Sequence, residues 1–350
     1  MITEVIPIFE SDNFTKNDKM DEAAMLIREG QLVAFPTETV YGLGADAENP
    51  EASARIYAAK GRPSDNPLIV HIAEVSDLER AAREVTPFAK ALAEAFWPGP
   101  LTLVLPKGDN IPLATTGGLD TVAVRLPNNS IARALIRQSG CMIAAPSANR
   151  SGRPSPTTAA HVLEDMNGII PMILDGGPVG IGIESTIVDC TGDAPVILRP
   201  GYITRDMVAE ICGSCSFDPA ITGQDPTARP KAPGMKYRHY APKAPLTIIE
   251  GNSEKVISFI NSKLENTDEP QSIGVICTEE TQSAFSGGHL FVVGTRLDEA
   301  TIAHNLYGAL RHMDEAGVSE IYSESFDTPG LGEALMNRLL KAAGGSVIKV

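Results

Sequence analysis

Long apolar runs are missing from this 350-residue chain: the longest, such as 169–174, are broken by proline or glycine well short of the ~18 residues a spanning helix needs. The first ten residues carry neither a basic stretch nor an apolar leader, so a cytoplasmic address without a membrane is expected. Cysteine is scarce, with five in the whole chain, which excludes a disulfide framework. Cys212-Gly-Ser-Cys215 is a lone CxxC with no second pair and no spaced histidine, and reads as incidental rather than as a zinc or redox site. Positive charge is also in deficit, with 29 Lys and Arg against 44 Asp and Glu, a net −15. A duplex-gripping protein presents a basic surface, so direct nucleic-acid binding is expected to be weak or absent. There is no GxxxxGK[ST] and hence no Walker loop.

What is present is an ordinary globular composition, 43% hydrophobic with 31 Gly and 26 Pro, long enough for two domains. Residues 1–212 hold 17 basic and 27 acidic side chains, residues 246–350 hold 7 and 15, and the 33 residues between hold 5 and 2. That basic, proline-rich middle segment, 213–245, reads as a tether, and its charge fits either a lid over an anion or a solvated linker. Apolar strands (32–35, 68–72, 101–105, 121–126, 142–145, 172–175, 185–189, 196–199) alternate with helical periodicity at 18–28, 51–60, 77–96, 131–139 and 158–164. An α/β body follows, ending near residue 212. After the tether, strands at 246–250, 272–277, 290–293 and 320–323 alternate with helices at 254–264, 298–316 and 331–343, as in a small Rossmann-like sheet.

The chemistry-bearing residues sit in the loops of the first body. Gly42-Leu-Gly-Ala-Asp-Ala47 matches GxGxxA, but residues 36–41 separate it from the preceding strand, against a dinucleotide fingerprint. Lys60-Gly-Arg62 puts two cations at a helix end, fitting a phosphate or carboxylate, or a solvated basic turn; Asn66 and the strand-end His71 follow. Ser147 and Asn149 lie just past an apolar strand, and Ser155 and Thr157 approach a helix start, where free amides favour an anion. Arg125 and Arg199 stand in otherwise apolar strands, where a guanidinium meets a carboxylate of the fold or an anionic ligand. No nucleophile–His–Asp arrangement accompanies them, so the pattern reads as phosphate binding and polarisation without covalent catalysis.

Taken together, PTETVYGLG at 36–44, KGRPSDNPLIVHI at 60–72, PSANRSGRPSPT at 146–157, GIESTIVD at 182–189, LRPG at 198–201 and PGMKYRHYAP at 233–242 closely resemble the L-threonylcarbamoyladenylate synthase family in its two-domain form. The resemblance spans almost the whole chain with no departure at the motif positions. It implies a YrdC-like twisted mixed-sheet catalytic domain at 1–212, a linker at 213–245 acting as active-site lid, and a Rossmann-like C-terminal domain at 246–350. It further implies a nucleotidyltransferase that turns L-threonine, bicarbonate and ATP into threonylcarbamoyl-AMP, pyrophosphate and water. That is the first step of threonylcarbamoyl-adenosine modification in tRNAs reading codons that begin with A, and the product passes to a tRNA threonylcarbamoyl-transferase. By the same resemblance Thr39, His71, Arg125, Ala145 and Ser185 hold threonine. Arg62, Asn66, Thr121, Ser147, Asn149, Ser155, Arg199 and Tyr237 hold ATP, with Lys60 and Arg62 as the catalytic cations. Mg²⁺ is expected to accompany ATP, with no protein ligand nominated for it.

Overall fold

A computed structural model describes residues 2–9, 14, 17–219, 221, 231–233 and 239–350. The described residues fall in two compact units, one built on 1–151, 155–180 and 184–236, the other on 152–154, 181–183 and 237–350.

In the first unit eleven strands form one mixed sheet: β1 (Glu4–Pro7), β2 (Val33–Phe35), β3 (Gly42–Asp46), β4 (Ile69–His71), β5 (Leu101–Pro106), β6 (Thr121–Arg125), β7 (Ile143–Ala144), β8 (Met172–Asp175), β9 (Thr186–Asp189), β10 (Val196–Arg199) and β11 (Ser216–Phe217). Their spatial order is β1-β8-β2-β3-β7-β4-β6-β5-β9-β10-β11. Parallel pairs such as β4/β6 and β5/β9 alternate with antiparallel ones such as β7/β4 and β5/β6. The helices are α1 (Asp18–Arg28), α2 (Pro50–Lys60), α3 (Leu78–Ala81), α4 (Pro87–Phe96), α5 (Ser130–Ser139), α6 (Ala159–Met166) and α7 (Arg205–Cys212).

Local chemistry fixes these ends. The Asn49 side chain caps α2 by accepting from Glu51 and Ala52 N–H, Pro50 occupies a first-turn position where no N–H is needed, and Gly61 stops the helix at φ 62°. One helix expected over 77–96 is instead broken: α3 ends at Ala81, and Thr86 with Pro87 starts α4 afresh, because proline suits a first turn and not a helix interior. The glycine-containing motif read as loop begins with a strand, β3, at Gly42–Asp46. A Cβ at Gly44 would fall 2.6 Å from the Phe35 ring and 2.9 Å from Ile143, so glycine here serves close strand packing. The sheet also runs past residue 212 into the expected tether, since β11 pairs with β10.

Side chains alternate across the sheet. One face packs Ala34, Leu43, Val70, Leu103 and Val124 against α2, α4, α6 and α7. On the other face Val33, Phe35, Ile143 and Leu174 meet α1 and α5. Farther along that second face lies a small cluster, Ile69, Val104, Ala123, Ile187 and Leu198, to which no described helix contributes; its cover is Ala232, fully buried.

The second unit holds a five-stranded parallel sheet, β12 (Leu246–Glu250), β13 (Ile273–Cys277), β14 (His289–Val292), β15 (Glu320–Glu324) and β16 (Val347–Lys349), in the order β14-β13-β15-β12-β16. It is accompanied by α8 (Ser253–Glu265), α9 (Glu299–Ala316) and α10 (Gly332–Ala342). No described helix of the chain is long and apolar enough to cross a membrane.

Candidate active site

The sheet face without a helix carries a buried polar row. His71 on β4 is the cross-strand partner of Arg125 on β6. Thr102 on β5, Ser185 just ahead of β9 and Arg199 on β10 continue the row over neighbouring strands. All five residues are 4% exposed or less. Five polar side chains buried in adjacent strands are costly unless bonded, so their partners define the site.

Arg125 donates from Nη1 to Thr39 Oγ1 (2.9 Å) and from Nε to the Gly99 carbonyl (3.3 Å). Thr39 and Thr37 hydroxyls are 2.8 Å apart, and Thr37 donates to the Val40 carbonyl at 2.7 Å. Since that carbonyl only accepts, the protons run from Arg125 through Thr39 and Thr37 to Val40. Arg125 Nη2 stands 2.7 Å from Glu38 Oε1. His71 donates Nδ1–H to the Ile69 carbonyl at 3.2 Å; burial first, then the nearby Arg125 charge, pushes its pKa down to about 3, so the ring is neutral. Ala145 N–H donates to the Ile69 carbonyl as well (2.8 Å), which brings the end of β7 beside these groups.

Arg199 grips the next loop. Its Nε and Nη2 both donate to the Ser185 carbonyl (3.2 and 2.9 Å), Nη2 also reaches Ser185 Oγ (3.2 Å), and Nη1 donates to the Pro233 carbonyl at 3.4 Å. Ser185 Oγ lies 2.8 Å from Thr102 Oγ1. Gly201 holds this corner tight: a Cβ there would sit 2.4 Å from Thr186 N and 2.8 Å from the Glu184 carbonyl oxygen. Residue 231 ties the same region down, its ammonium lying 3.4 Å from Asp189 and 3.8 Å from Asp218.

Lys60 has a different placement from the one its sequence context suggests. It is 3% exposed, and its ammonium donates to the backbone carbonyls of Ser147 and Asn149, clasping that loop to the end of α2. Ser151 N–H returns a bond to the Lys60 carbonyl at 2.8 Å. Arg62 donates to the carbonyls of Asn66 (3.2 Å) and Pro67 (3.0 Å). Asn66 is buried, and its Oδ1 accepts from no described group. Thr121 begins the strand that Arg125 ends, four residues and so roughly 13 Å away. Arg62, Asn66 and Thr121, expected on ATP, lie toward the starts of β4 and β6, while His71 and Arg125, expected on threonine, occupy the strand ends. Ser155 donates to Glu184 Oε1 at 2.6 Å. Tyr237 lies outside the described residues. Its neighbour Tyr240 is buried against Tyr307 of the second unit, ring centroids 5.1 Å apart.

Two carboxylates in this region, Glu38 and Glu184, were not singled out from the sequence. Glu38 lies between Thr37 and Thr39, and Glu184 directly precedes Ser185 and Thr186, each within a motif quoted above. Among the described residues no three His, Cys, Asp or Glu gather as metal ligands. All five cysteines are free, and burial raises the thiol pKa of Cys215 to about 11, so the CxxC is not a reactive pair.

A mixed sheet with a buried cationic and hydroxyl row, joined in sequence to a small parallel-sheet unit, defines a two-unit α/β protein. Residues 25–201 match the Sua5/YciO/YrdC family model, described as telomere recombination, and residues 203–344 match the model of the threonylcarbamoyl-AMP synthase C-terminal domain. The chain is 50% identical to the threonylcarbamoyl-AMP synthase of Bacillus subtilis over 97% of each chain. Against that of Pyrococcus abyssi it is also 50% identical, over 95% of this chain and 96% of the other. The crystal structure of P. abyssi Sua5 complexed with L-threonine superposes with a TM-score of 0.92 at 48% identity, covering 99% of this chain and 100% of that one. The chain belongs to the threonylcarbamoyl-AMP synthase family, in its two-domain form.

Proposed function

We propose that this enzyme is a nucleotidyltransferase that condenses L-threonine, bicarbonate and ATP to threonylcarbamoyl-AMP, releasing pyrophosphate and water. The observation that carries the reading is the buried row from His71 through Arg125, Thr102 and Ser185 to Arg199, two cations among hydroxyls with no base-activated nucleophile among the described residues. In it the threonine carboxylate faces the Arg125 guanidinium, with Thr39, Ser185 and the backbone at Ala145 around the amino acid. Neutral His71 adds no second cation and suits an uncharged hydroxyl. The amine and bicarbonate give a carbamate, one of whose oxygens attacks the α-phosphorus of ATP as pyrophosphate leaves. Positioning and charge neutralisation supply the rate in such a step.

Arg62 and Arg199, with Asn66, Thr121, Ser147, Asn149, Ser155 and Tyr237, hold the nucleotide. Lys60 acts on it through the loop it clasps. Mg²⁺ arrives with ATP as part of the substrate, carried on its phosphates, and the protein's share is the guanidinium and amide donors. The 213–245 segment acts as a lid; the packing of Ala232 on the helix-free face and the Arg199 bond to Pro233 support this reading. The product goes on to a transferase that modifies tRNA adenosine, in the cytoplasm. The test is pyrophosphate release from ATP, with mass spectrometry of the product. Release that needs both threonine and bicarbonate is expected. Release needing neither marks a plain pyrophosphatase, and no release with tight tRNA binding marks a binding module; either result overturns the proposal.

A further inference from the structure

Glu38 has no assigned part in this chemistry, yet it is placed as no surface carboxylate would be. Its side chain is only 12% exposed, and both carboxylate oxygens are buried from solvent. The Arg125 Nη2 nitrogen lies 2.7 Å away, but neither that nitrogen nor either oxygen has a hydrogen bond of acceptable geometry among the described residues. Arg125 itself is held by neutral acceptors, Thr39 Oγ1 and the Gly99 carbonyl, so its orientation does not need the acid. A buried carboxylate that has only this ion pair, and accepts no well-formed hydrogen bond among the described residues, keeps lone pairs for donors from a ligand.

The Arg125 Nη2 and the Glu38 carboxylate are opposite in charge and adjacent, and neither has a well-formed hydrogen bond among the described residues. An α-amino acid carries its own opposite charges on one carbon, equally close together. Laid against the pair in the reverse sense, its carboxylate meets Arg125 and its ammonium meets Glu38. We infer that Glu38 is the counter-ion of the substrate's α-amine and makes this site select amino acids over the corresponding hydroxy acids. This deepens the reading of the site as a threonine site and rests on it. When the amine becomes a carbamate the nitrogen keeps one hydrogen, so Glu38 retains a donor and continues to orient the group that attacks phosphorus. A site built to bond an N–H discriminates strongly against an analogue that leaves its acceptor unpaired.

The experiment is calorimetric titration of the full chain with L-threonine and with 2,3-dihydroxybutanoate, in which a hydroxyl replaces the amine. The wild type is expected to prefer threonine at least tenfold. Glu38→Gln, which keeps the shape and removes the charge, should lose at least tenfold in threonine affinity while binding dihydroxybutanoate as well as the wild type or better. Glu38→Asp, which keeps the charge, should recover part of the threonine affinity, and carries the comparison if the Gln variant fails to fold. Equal losses for both ligands would make Glu38 a structural partner of Arg125, and unchanged threonine affinity would remove it from the site; either result overturns the inference. Wild-type protein that binds neither ligand overturns the threonine reading itself, a distinct failure.

Discussion

Replacing Lys60 with methionine tests how the site is held together. The ammonium is buried and bonds two backbone carbonyls, at Ser147 and Asn149. Hydrogen bonds from a charged donor contribute about 1.5–3 kcal/mol each. Part of that is offset, because methionine avoids the cost of burying an ammonium. A net loss of about 2–4 kcal/mol is expected. Trp97 is the only tryptophan, is buried in the first unit and donates its indole N–H to the Leu101 carbonyl at 2.7 Å. Its fluorescence therefore follows unfolding of that unit alone. With a urea dependence of about 2 kcal/mol per molar, the midpoint should fall by about 1–2 M. Activity should fall too, since the Ser147–Asn149 loop loses its clasp. A variant with wild-type midpoint and abolished activity would refute the clasp and return Lys60 to direct contact with the nucleotide.

Two further outcomes follow from other parts of the site. His71 titrates at about 3 in the folded chain against 6.5 ordinarily, so on acidification the unfolded chain takes the proton first. Its contribution is complete above pH 6.5 and is lost as pH falls from there toward 3, at up to about 1.4 kcal/mol per pH unit; urea titrations of His71→Asn should show a flatter pH dependence over that window, and an identical slope refutes the assignment. Gly201→Ala drives a methyl into the backbone of 184–186 and should cut activity at least tenfold, whereas Gly192→Ala, where a Cβ meets nothing within 4 Å, should match the wild type in activity and midpoint; equal behaviour of the two variants counts against the steric argument.

Much of this architecture is legible in the chain because the signals are local. Asn49, Pro50 and Gly61 bracket α2 by capping chemistry alone, and the β-α alternation of 246–350 yields the parallel sheet. What failed to show depends on contacts distant in sequence. β3 reads as loop because glycine ordinarily weakens strands, and the reason for Gly44 is the Phe35 ring and Ile143 lying against it. The single helix expected at 77–96 followed apolar periodicity past the Thr86-Pro87 start signal. Within the site, Arg125 and Arg199 stand out as charges in apolar strands. The part played by Lys60 does not, since only the fold brings Ser147 and Asn149 to its ammonium.

The clasp on Lys60 also bears on the enzyme's own survival. A carbamoyl adenylate is a mixed anhydride, open to attack by any uncharged amine or thiolate within reach. Arginines stay protonated, and an ammonium that spends its protons on two carbonyls has no lone pair to offer. With Lys60 held on two backbone carbonyls and Arg125 and Arg199 protonated, none of these three cations offers a reactive adenylate an amine to carbamoylate.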